Sequence, residues 1–288
     1  MRSLLKTMIK ILVDSASDLE QSEADALGVV LIPITIRIGN EELFDGVDIT
    51  HREFFEKLPL CEELPSTSQI NEFRWEEEFA KLTADGSEVL AMTISSKLSG
   101  TFACAQKAAE KFDGKVRVVD SLNASLGERV LLDYAIKLVK EGKSLEEVGK
   151  LLDEKKHKIQ LLALLDTLKY LKKGGRISSV AAFTGELLSI KPVIAIIDGE
   201  VKLVGKAIGS KKGNNLLMQL VDKCGGIDFD MPYTLAYSGL SDENLQKYLK
   251  DSEKLWAGKT SHIPSMMIGS TIGTHIGPGA IGVAFFAK

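Results

Sequence analysis

The sequence predicts an α/β fold with two domains, and three observations support that prediction. Short apolar runs alternate with amphipathic helical patterns in the first half of the chain, which is typical of a mostly parallel sheet flanked by helices. In the second half, Asp198-Gly199 separates two apolar runs and predicts an antiparallel hairpin. The charged run Asp153 to Lys158 lies between the two patterns. We therefore expect an N-terminal domain over residues 1–157 and a C-terminal domain over residues 158–288.

The first domain shows clear signals for where its elements begin and end. Two capping-box patterns, Thr50-x-x-Glu53 and Ser144-x-x-Glu147, predict helix starts. Pro33 interrupts an apolar run, so we expect that strand to bend or to lie at an edge. Strands are predicted at Ile9–Val13, Val29–Ile36, Val89–Thr93 and Val116–Val119, and helices at Asn71–Leu82, Phe102–Phe112 and Gly127–Glu141.

The second domain mixes strands with short helices. A helix is predicted from Leu168 to Lys173, closed by Gly174-Gly175. Strands are predicted at Ile159–Leu165, Val193–Ile197, Glu200–Val204, Thr234–Tyr237 and Gly282–Phe286. This order predicts a mixed α/β sheet, and the cleft between two such domains is a favoured place for a small ligand.

Composition excludes several classes of function. The net charge of −4 argues against a nucleic-acid-binding surface. Three widely spaced cysteines predict a reducing compartment, hence a cytoplasmic protein. The apolar runs are far shorter than the roughly 20 residues that an integral membrane segment needs. Met1 to Thr7 shows no signal-peptide pattern, so we treat it as an extension, with Met8 as an alternative start.

A polar stretch lies where a predicted strand passes into a predicted helix. It contains Ser95, Ser96, Ser99, Gly100 and Thr101. Backbone N–H groups at a helix start lack intrahelical partners, so a carboxylate or phosphate would be stabilised there. A helix N-cap in a polar loop would explain the same residues without any ligand.

Further polar residues follow the other predicted strands. Asp14 and Ser15 follow the first strand, and Asp120, Ser121 and Ser125 follow a later one. The carboxyl edge of a parallel sheet is the usual ligand side in open α/β folds. Plain strand-to-helix loops would account for these residues equally well.

The sequence lacks the motifs of several enzyme classes, which argues against those functions. Gly277 to Gly282 matches G-x-G-x-x-G by letter but opens no helix, so it predicts a tight turn and not a dinucleotide site. The chain contains neither a phosphate loop of the G-x-x-x-x-G-K-[ST] type nor a G-x-S-x-G elbow. The histidines show no metal-ligand spacing; His51 and His157 are expected to be solvated, and His275 is a candidate functional residue.

Motifs along nearly the whole chain resemble those of the DegV family of fatty-acid-binding proteins. Together they are highly specific, although each alone is weak. They are Ile11 to Ser15 with Asp18, Thr67 to Gln69, Ser95 to Thr101, Asp120-Ser121 with Ala124-Ser125 and Gly127, Leu168 to Ile177, Leu187 to Pro192, and His275 to Ala280.

The resemblance implies a two-domain protein that holds one long-chain fatty acid between its domains. It implies that Thr67 and Ser99 bind the carboxylate, with Ser95 and Ser96 as alternatives to Ser99 and with Gly100 and His275 beside them. It assigns supporting or partner-coupling roles to Arg176, Asp14, Ser15 and Ser125. Bacterial relatives are lipid-presenting subunits of a fatty acid kinase. A separate ATP-binding partner makes the acyl phosphate for phospholipid synthesis, so we expect neither a catalytic residue nor a cofactor in this chain.

The sequence departs from the family pattern at two places. Ile70-Asn71 follows the Thr67 motif where relatives usually have Pro-Ser, and Ile208 stands where relatives often have an arginine linked to work with the kinase. The second departure bears on kinase coupling more than on lipid binding. The rival interpretation is an acyl transferase or esterase that uses Ser99 with His275, although no acidic partner is evident.

Overall fold

Three sheets organise the fold in the computed structural model, which describes residues 8–177 and 190–288. The expected N-terminal extension and residues 187–189 of the predicted Leu187–Pro192 motif lie outside these ranges. The strands are β1 (Ile9–Asp14), β2 (Val30–Ile32), β3 (Thr35–Ile38), β4 (Glu41–Phe44), β5 (Ser66–Ser68), β6 (Glu88–Thr93), β7 (Val116–Asp120), β8 (Ile159–Leu164), β9 (Ile190–Ile197), β10 (Glu200–Ile208), β11 (Tyr233–Tyr237), β12 (Ser265–Met267) and β13 (Ile281–Phe286).

The helices pack on the faces of these sheets. They are α1 (Gln21–Leu27), α2 (His51–Lys57), α3 (Glu72–Thr83), α4 (Thr101–Ala109), α5 (Leu126–Lys140), α6 (Leu145–Lys155), α7 (Lys169–Lys173), α8 (Ser210–Lys223), α9 (Glu243–Asp251), α10 (Glu253–Trp256) and α11 (Ser270–Ile276).

The first sheet is parallel throughout, as the strand and helix alternation predicts. Its order is β2-β1-β6-β7, so the carboxyl ends of all four strands lie at one edge. The capping boxes at Thr50 and Ser144 are both present, and Asn71 caps α3. Helix α5 contacts β1 of this sheet and also β8, β11 and β13 of the next. The two large sheets therefore share α5 as a common layer.

The second sheet is mixed, with the order β10-β9-β8-β13-β11-β12. The hairpin at Asp198-Gly199 is confirmed, with positive φ at both residues and antiparallel pairing of β9 with β10. Alternate residues of β8 face opposite ways, as a strand requires. Leu161 and Ala163 belong to the core shared with the parallel sheet, whereas Leu162 packs with the outer helices.

A third, three-stranded sheet is absent from the sequence prediction. Its antiparallel order is β4-β3-β5. Pro33 separates β2 from β3, so the single strand expected from Val29 to Ile36 is two strands in different sheets. Pro65 to Gln69 is a hydroxyl-rich stretch that was interpreted from the sequence as a loop, and that interpretation was wrong: Ser66–Ser68 form β5, which places Thr67 opposite Ile36.

Helix α11, near the C-terminus of the chain, packs mainly against elements of its N-terminal half. It contacts α2, α7, β3 and β5. His51 at the start of α2 is 4% exposed, so the prediction of a solvated His51 was wrong. The close approach of Gly269, where a Cβ would lie 3.0 Å from His51 Nε2, explains this burial, while His157 is exposed as predicted. The division at residue 157 stays a prediction, although the two large sheets lie on either side of it.

Candidate functional site

A cavity of about 300 Å³ lies between the second sheet and the carboxyl edge of the parallel sheet. Side chains of β8, β9 and β10 form one wall, and residues that follow β2, β6 and β7 form another, together with α11. The apolar lining is entirely aliphatic: Ile34, Ile94, Leu98, Ala124, Leu126, Leu161, Ala163, Leu171, Ile194, Ile196, Val201, Ile268, Ile272 and Ile276.

Thr67 and His275 meet at a polar end of this cavity. Thr67 Oγ1 lies 2.9 Å from His275 Nε2, although 208 positions separate the two residues in the chain. The pairing of β5 with β3 positions the threonine, and the last turn of α11 positions the histidine. Both line the cavity.

Ser99 and Gly100 line the same cavity, and Thr101 connects them to the Thr67 segment. The Ile70 N–H donates to Thr101 Oγ1 at 3.3 Å, and Thr101 Oγ1 lies 2.9 Å from Ser99 Oγ. A Cβ added to Gly100 would overlap the amide of Gln69, so the two segments are in close contact. Thr67 and Ser99, which the sequence analysis paired, therefore line the same cavity on two segments that contact each other.

Burial keeps the His275 imidazole neutral at pH 7. Desolvation, with a smaller effect of the nearby Arg176 charge, lowers the pKa of His275 to about 4. Its Nδ1 is buried and has no hydrogen-bond partner among the described residues. An unpaired acceptor costs less than an unpaired N–H donor, which favours the tautomer with the proton on Nε2. His275 then donates to Thr67 Oγ1 and leaves the threonine hydrogen free for an acceptor in the cavity.

Arg176 connects the polar end to the protein surface. It lines the cavity and is exposed. Its Nη1 donates to the Gly174 carbonyl at 2.6 Å, and its Nε lies 3.4 Å from the Leu98 carbonyl. Among the described residues that line the cavity, Arg176 is the only lysine or arginine.

Ser95 and Ser96 are not among the residues that line the cavity. Ser95 is fully buried, and its hydroxyl donates to the Gly199 carbonyl at the tip of the β9–β10 hairpin, at 2.8 Å. The Ser96 N–H donates to Asp120 Oδ1 at 3.1 Å. Of the three serines proposed for carboxylate binding, Ser99 alone reaches the cavity.

Asp14, Ser15 and Ser125 order the loops at the carboxyl edge. Asp14 accepts from the N–H groups of Ala16 and Ile94, at 2.9 and 2.8 Å, and burial raises its pKa to about 7. Ser15 Oγ accepts from the Ile34 N–H at 3.0 Å. Ser125 lines the cavity, but its hydroxyl donates to the carboxylate of Asp18. These contacts are structural, and roles in ligand or partner binding stay predictions.

Gln69 and Thr101 were missed as site residues. Both stand inside motifs that the sequence analysis singled out, so those motifs were the available signal. Their contacts depend on β5, a strand of Ser-Thr-Ser that carries no apolar alternation.

The geometry does not favour the rival hydrolase interpretation. His275 Nε2 is paired with Thr67 and Ser99 Oγ with Thr101, whereas a nucleophilic serine needs a base within hydrogen-bond reach. In the described parts of the chain, no group of three or more His, Cys, Asp or Glu side chains is arranged to hold a metal ion. Within the same residues, every helix is too short or too polar to cross a bilayer.

Sheets, helices and cavity together define an α/β protein with an aliphatic cavity that ends in hydroxyl and imidazole groups. A family model described as "Uncharacterised protein, DegV family" matches residues 8–288. The chain belongs to the DegV family. A DegV domain-containing protein of Clostridium perfringens is 34% identical over 285 residues, which cover 96% of this chain and 96% of the relative.

Solved structures of the family share the fold. A DegV family protein of Thermus thermophilus, described as fatty acid binding, has a TM-score of 0.87 and 30% identity, covering 98% of this chain and 100% of its own. A stearic-acid-binding protein of Eubacterium ventriosum has a TM-score of 0.83 and 26% identity, covering 96% of this chain and 97% of its own. These similarities confirm the predicted fold class and the family resemblance.

Proposed function

We propose that the protein binds one long-chain fatty acid, with the carboxylate at Thr67, Ser99 and His275 and the acyl tail along β8 and β9. The observation that carries this proposal is the Thr67–His275 hydrogen bond at the polar end of an aliphatic cavity. The Thermus thermophilus and Eubacterium ventriosum relatives, described as binding fatty acid and stearic acid, support it.

Two hydroxyl hydrogens are available for the carboxylate. His275 occupies an acceptor site of Thr67, as the tautomer argument above requires. Ser99 Oγ accepts from the Thr101 N–H at 3.3 Å. The proposal requires the Thr101 hydroxyl, 2.9 Å away, to donate to Ser99 Oγ as well, so that the Ser99 hydrogen points to the carboxylate. A buried carboxylate is costly unless it is hydrogen-bonded, and each such bond contributes about 1.5–3 kcal/mol.

The acyl tail dominates the affinity. Each methylene removed from water contributes about 0.8 kcal/mol. Over roughly sixteen carbons this exceeds the contribution of two or three hydrogen bonds. The polar end therefore sets the orientation of the ligand, and the aliphatic walls set how tightly it binds.

We further propose that the bound acid is presented, in the cytoplasm, to a separate ATP-dependent kinase. A carboxylate oxygen would attack the γ-phosphorus of ATP, releasing ADP and leaving an acyl phosphate. The exposed Arg176 at the cavity supports access from a partner. The three cysteines are free thiols, which suits a reducing compartment.

Mass spectrometry of the purified protein tests lipid binding. Organic extraction should release about one acyl chain per monomer, and Thr67→Val should lower palmitate affinity by about tenfold or more because one charge-assisted hydrogen bond is lost. Ser66→Ala, on the same strand outside the cavity, is the control and should bind as the wild type does. A protein that is purified empty and ignores added palmitate contradicts the proposal.

A reconstitution tests the kinase proposal separately. The loaded protein is mixed with ATP and the ATP-binding kinase subunit of a bacterium that encodes a DegV protein, and acyl phosphate is trapped as its hydroxamate. We expect product with the wild type and less with Arg176→Ala, while the exposed control Arg52→Ala matches the wild type. A protein that binds palmitate but never yields acyl phosphate is a carrier without a kinase.

A further inference from the structure

Two buried carboxylates hold the start of helix α11. The Gly269 N–H donates to Asp18 Oδ1 at 2.9 Å. The N–H groups of Ser270 and Thr271 donate to the two carboxylate oxygens of Asp45, each at 3.1 Å. Three backbone donors that a helix start leaves without intrahelical partners are thus satisfied by side chains distant in the sequence.

Asp45 lies at the end of the small antiparallel sheet. It directly follows β4 and is fully buried. Its neighbour Gly46 has φ +72°, and a Cβ there would lie 2.6 Å from the Leu19 carbonyl oxygen, so the turn is packed tightly against the chain after β1. Because β4 pairs with β3 and β3 pairs with β5, the sheet that Asp45 follows also contains Thr67.

Helix α11 is held by this sheet at both of its ends. Asp45 binds its first residues, and Thr67 binds His275 in its last turn. The sequence Ser-Thr-Ile-Gly-Thr-His-Ile is a poor helix former, so tertiary contacts must supply the stability of the helix. Seven residues span only about 10 Å, so the residues that Asp45 binds and the imidazole lie within about two turns of one helix.

We propose that Asp45 is a positioning residue for the head-group site, because its carboxylate fixes α11 so that His275 faces Thr67. This inference rests on the proposed function. Asp45 itself is not among the residues that line the cavity, so its effect on a ligand must pass through the helix. In Asp45→Asn one oxygen still accepts, but the amide group faces the second backbone N–H and leaves it unpaired.

A comparison of two ligands distinguishes a displaced His275 from a general loss of structure. Palmitate and methyl palmitate share the same tail, but the uncharged ester depends less on the polar end. We expect Asp45→Asn to weaken palmitate binding by about tenfold and to leave methyl palmitate within about twofold. The control Asp48→Asn removes a carboxylate from the same turn, where it accepts only the Phe44 N–H among its described bonds, and should match the wild type for both ligands.

Nitrogen-15 NMR of the imidazole provides a readout that stability alone does not change. We expect the His275 Nε2 signal, assigned with His275→Gln, to shift in Asp45→Asn and to stay in place in Asp48→Asn. If Asp45→Asn does not fold, Asp45→Ser keeps one oxygen acceptor without an opposing N–H donor, and the same results are expected with it.

Two results overturn the positioning role. One is wild-type affinity for palmitate in the folded Asp45 variant, and the other is an equal loss for palmitate and methyl palmitate with an unmoved His275 signal. Failure of the proposed function would give a different result. The wild-type protein would then bind palmitate no more tightly than the Thr67→Val variant does.

Discussion

Replacing Gly174 by alanine should weaken recognition of the fatty-acid head group. Gly174 ends α7 with φ −72°, a conformation that alanine adopts without backbone strain. The added Cβ would instead overlap a neighbouring side chain. It would lie closer than 3.0 Å to His275 Nδ1, a distance that real Cβ atoms essentially never show. The substitution therefore acts on the imidazole through sterics alone.

The size of the effect follows from this overlap. To reach ordinary van der Waals contact, the ring or the α7 end must move by about 1 Å. A movement of that size stretches the 2.9 Å Thr67–His275 hydrogen bond beyond the usual limit of about 3.2 Å. The Thr67–His275 hydrogen bond joins two neutral groups, and the loss of such a bond corresponds to about 0.5–1.5 kcal/mol, or roughly two- to tenfold in affinity.

Displacement of a fluorescent fatty acid by palmitate measures this change. Gly175→Ala is the matched control, because a Cβ there meets no atom within 4 Å while the φ of +67° imposes backbone strain. We expect Gly174→Ala to lose affinity together with some thermal stability, because overpacking is itself destabilising, and Gly175→Ala to lose stability with little change in affinity. Wild-type palmitate affinity in Gly174→Ala would refute the role given to the His275 ring.

Two further predictions concern the tail and the buried acids. Ala163→Phe fills part of the cavity beside Ile194, so mass spectrometry should find shorter acyl chains; an unchanged chain-length profile would contradict the placement of the tail. Glu128 is fully buried, and neither of its carboxyl oxygens has a hydrogen-bond partner in the described ranges 8–177 and 190–288; burial, with the nearby Asp14 and Asp18, raises its pKa well above 4.5. Because the unfolded chain releases this proton at a lower pH than the folded chain does, the free energy of unfolding should fall as the pH rises above 4.5, the ordinary pKa of a glutamate. Urea unfolding should show a shallower fall in Glu128→Gln, and an identical slope would exclude Glu128 as the source.

Local signals in the sequence predicted much of the architecture. The capping boxes at Thr50 and Ser144, the Asp198-Gly199 hairpin and the apolar runs of the parallel sheet are each encoded within a few residues. Their physical causes, such as side-chain capping and a turn with positive φ, do not depend on distant parts of the chain.

Elements stabilised by distant contacts escaped the sequence analysis. Strand β5 is polar and pairs only because β3 lies beside it, and α11 forms from a sequence that disfavours helix. His51 is buried by Gly269, 218 positions away by their numbers. The approach of Thr67 to His275 was likewise implied by the family resemblance and not by any local pattern.

The orientation of the bound acid is the central claim, and a crystal structure of the palmitate complex tests it most directly. We predict a carboxylate oxygen at about 2.7–3.0 Å from Thr67 Oγ1, with the acyl chain extending past Ala163 and Ile194. Density for a chain in the reverse orientation, or outside the cavity, would contradict the account.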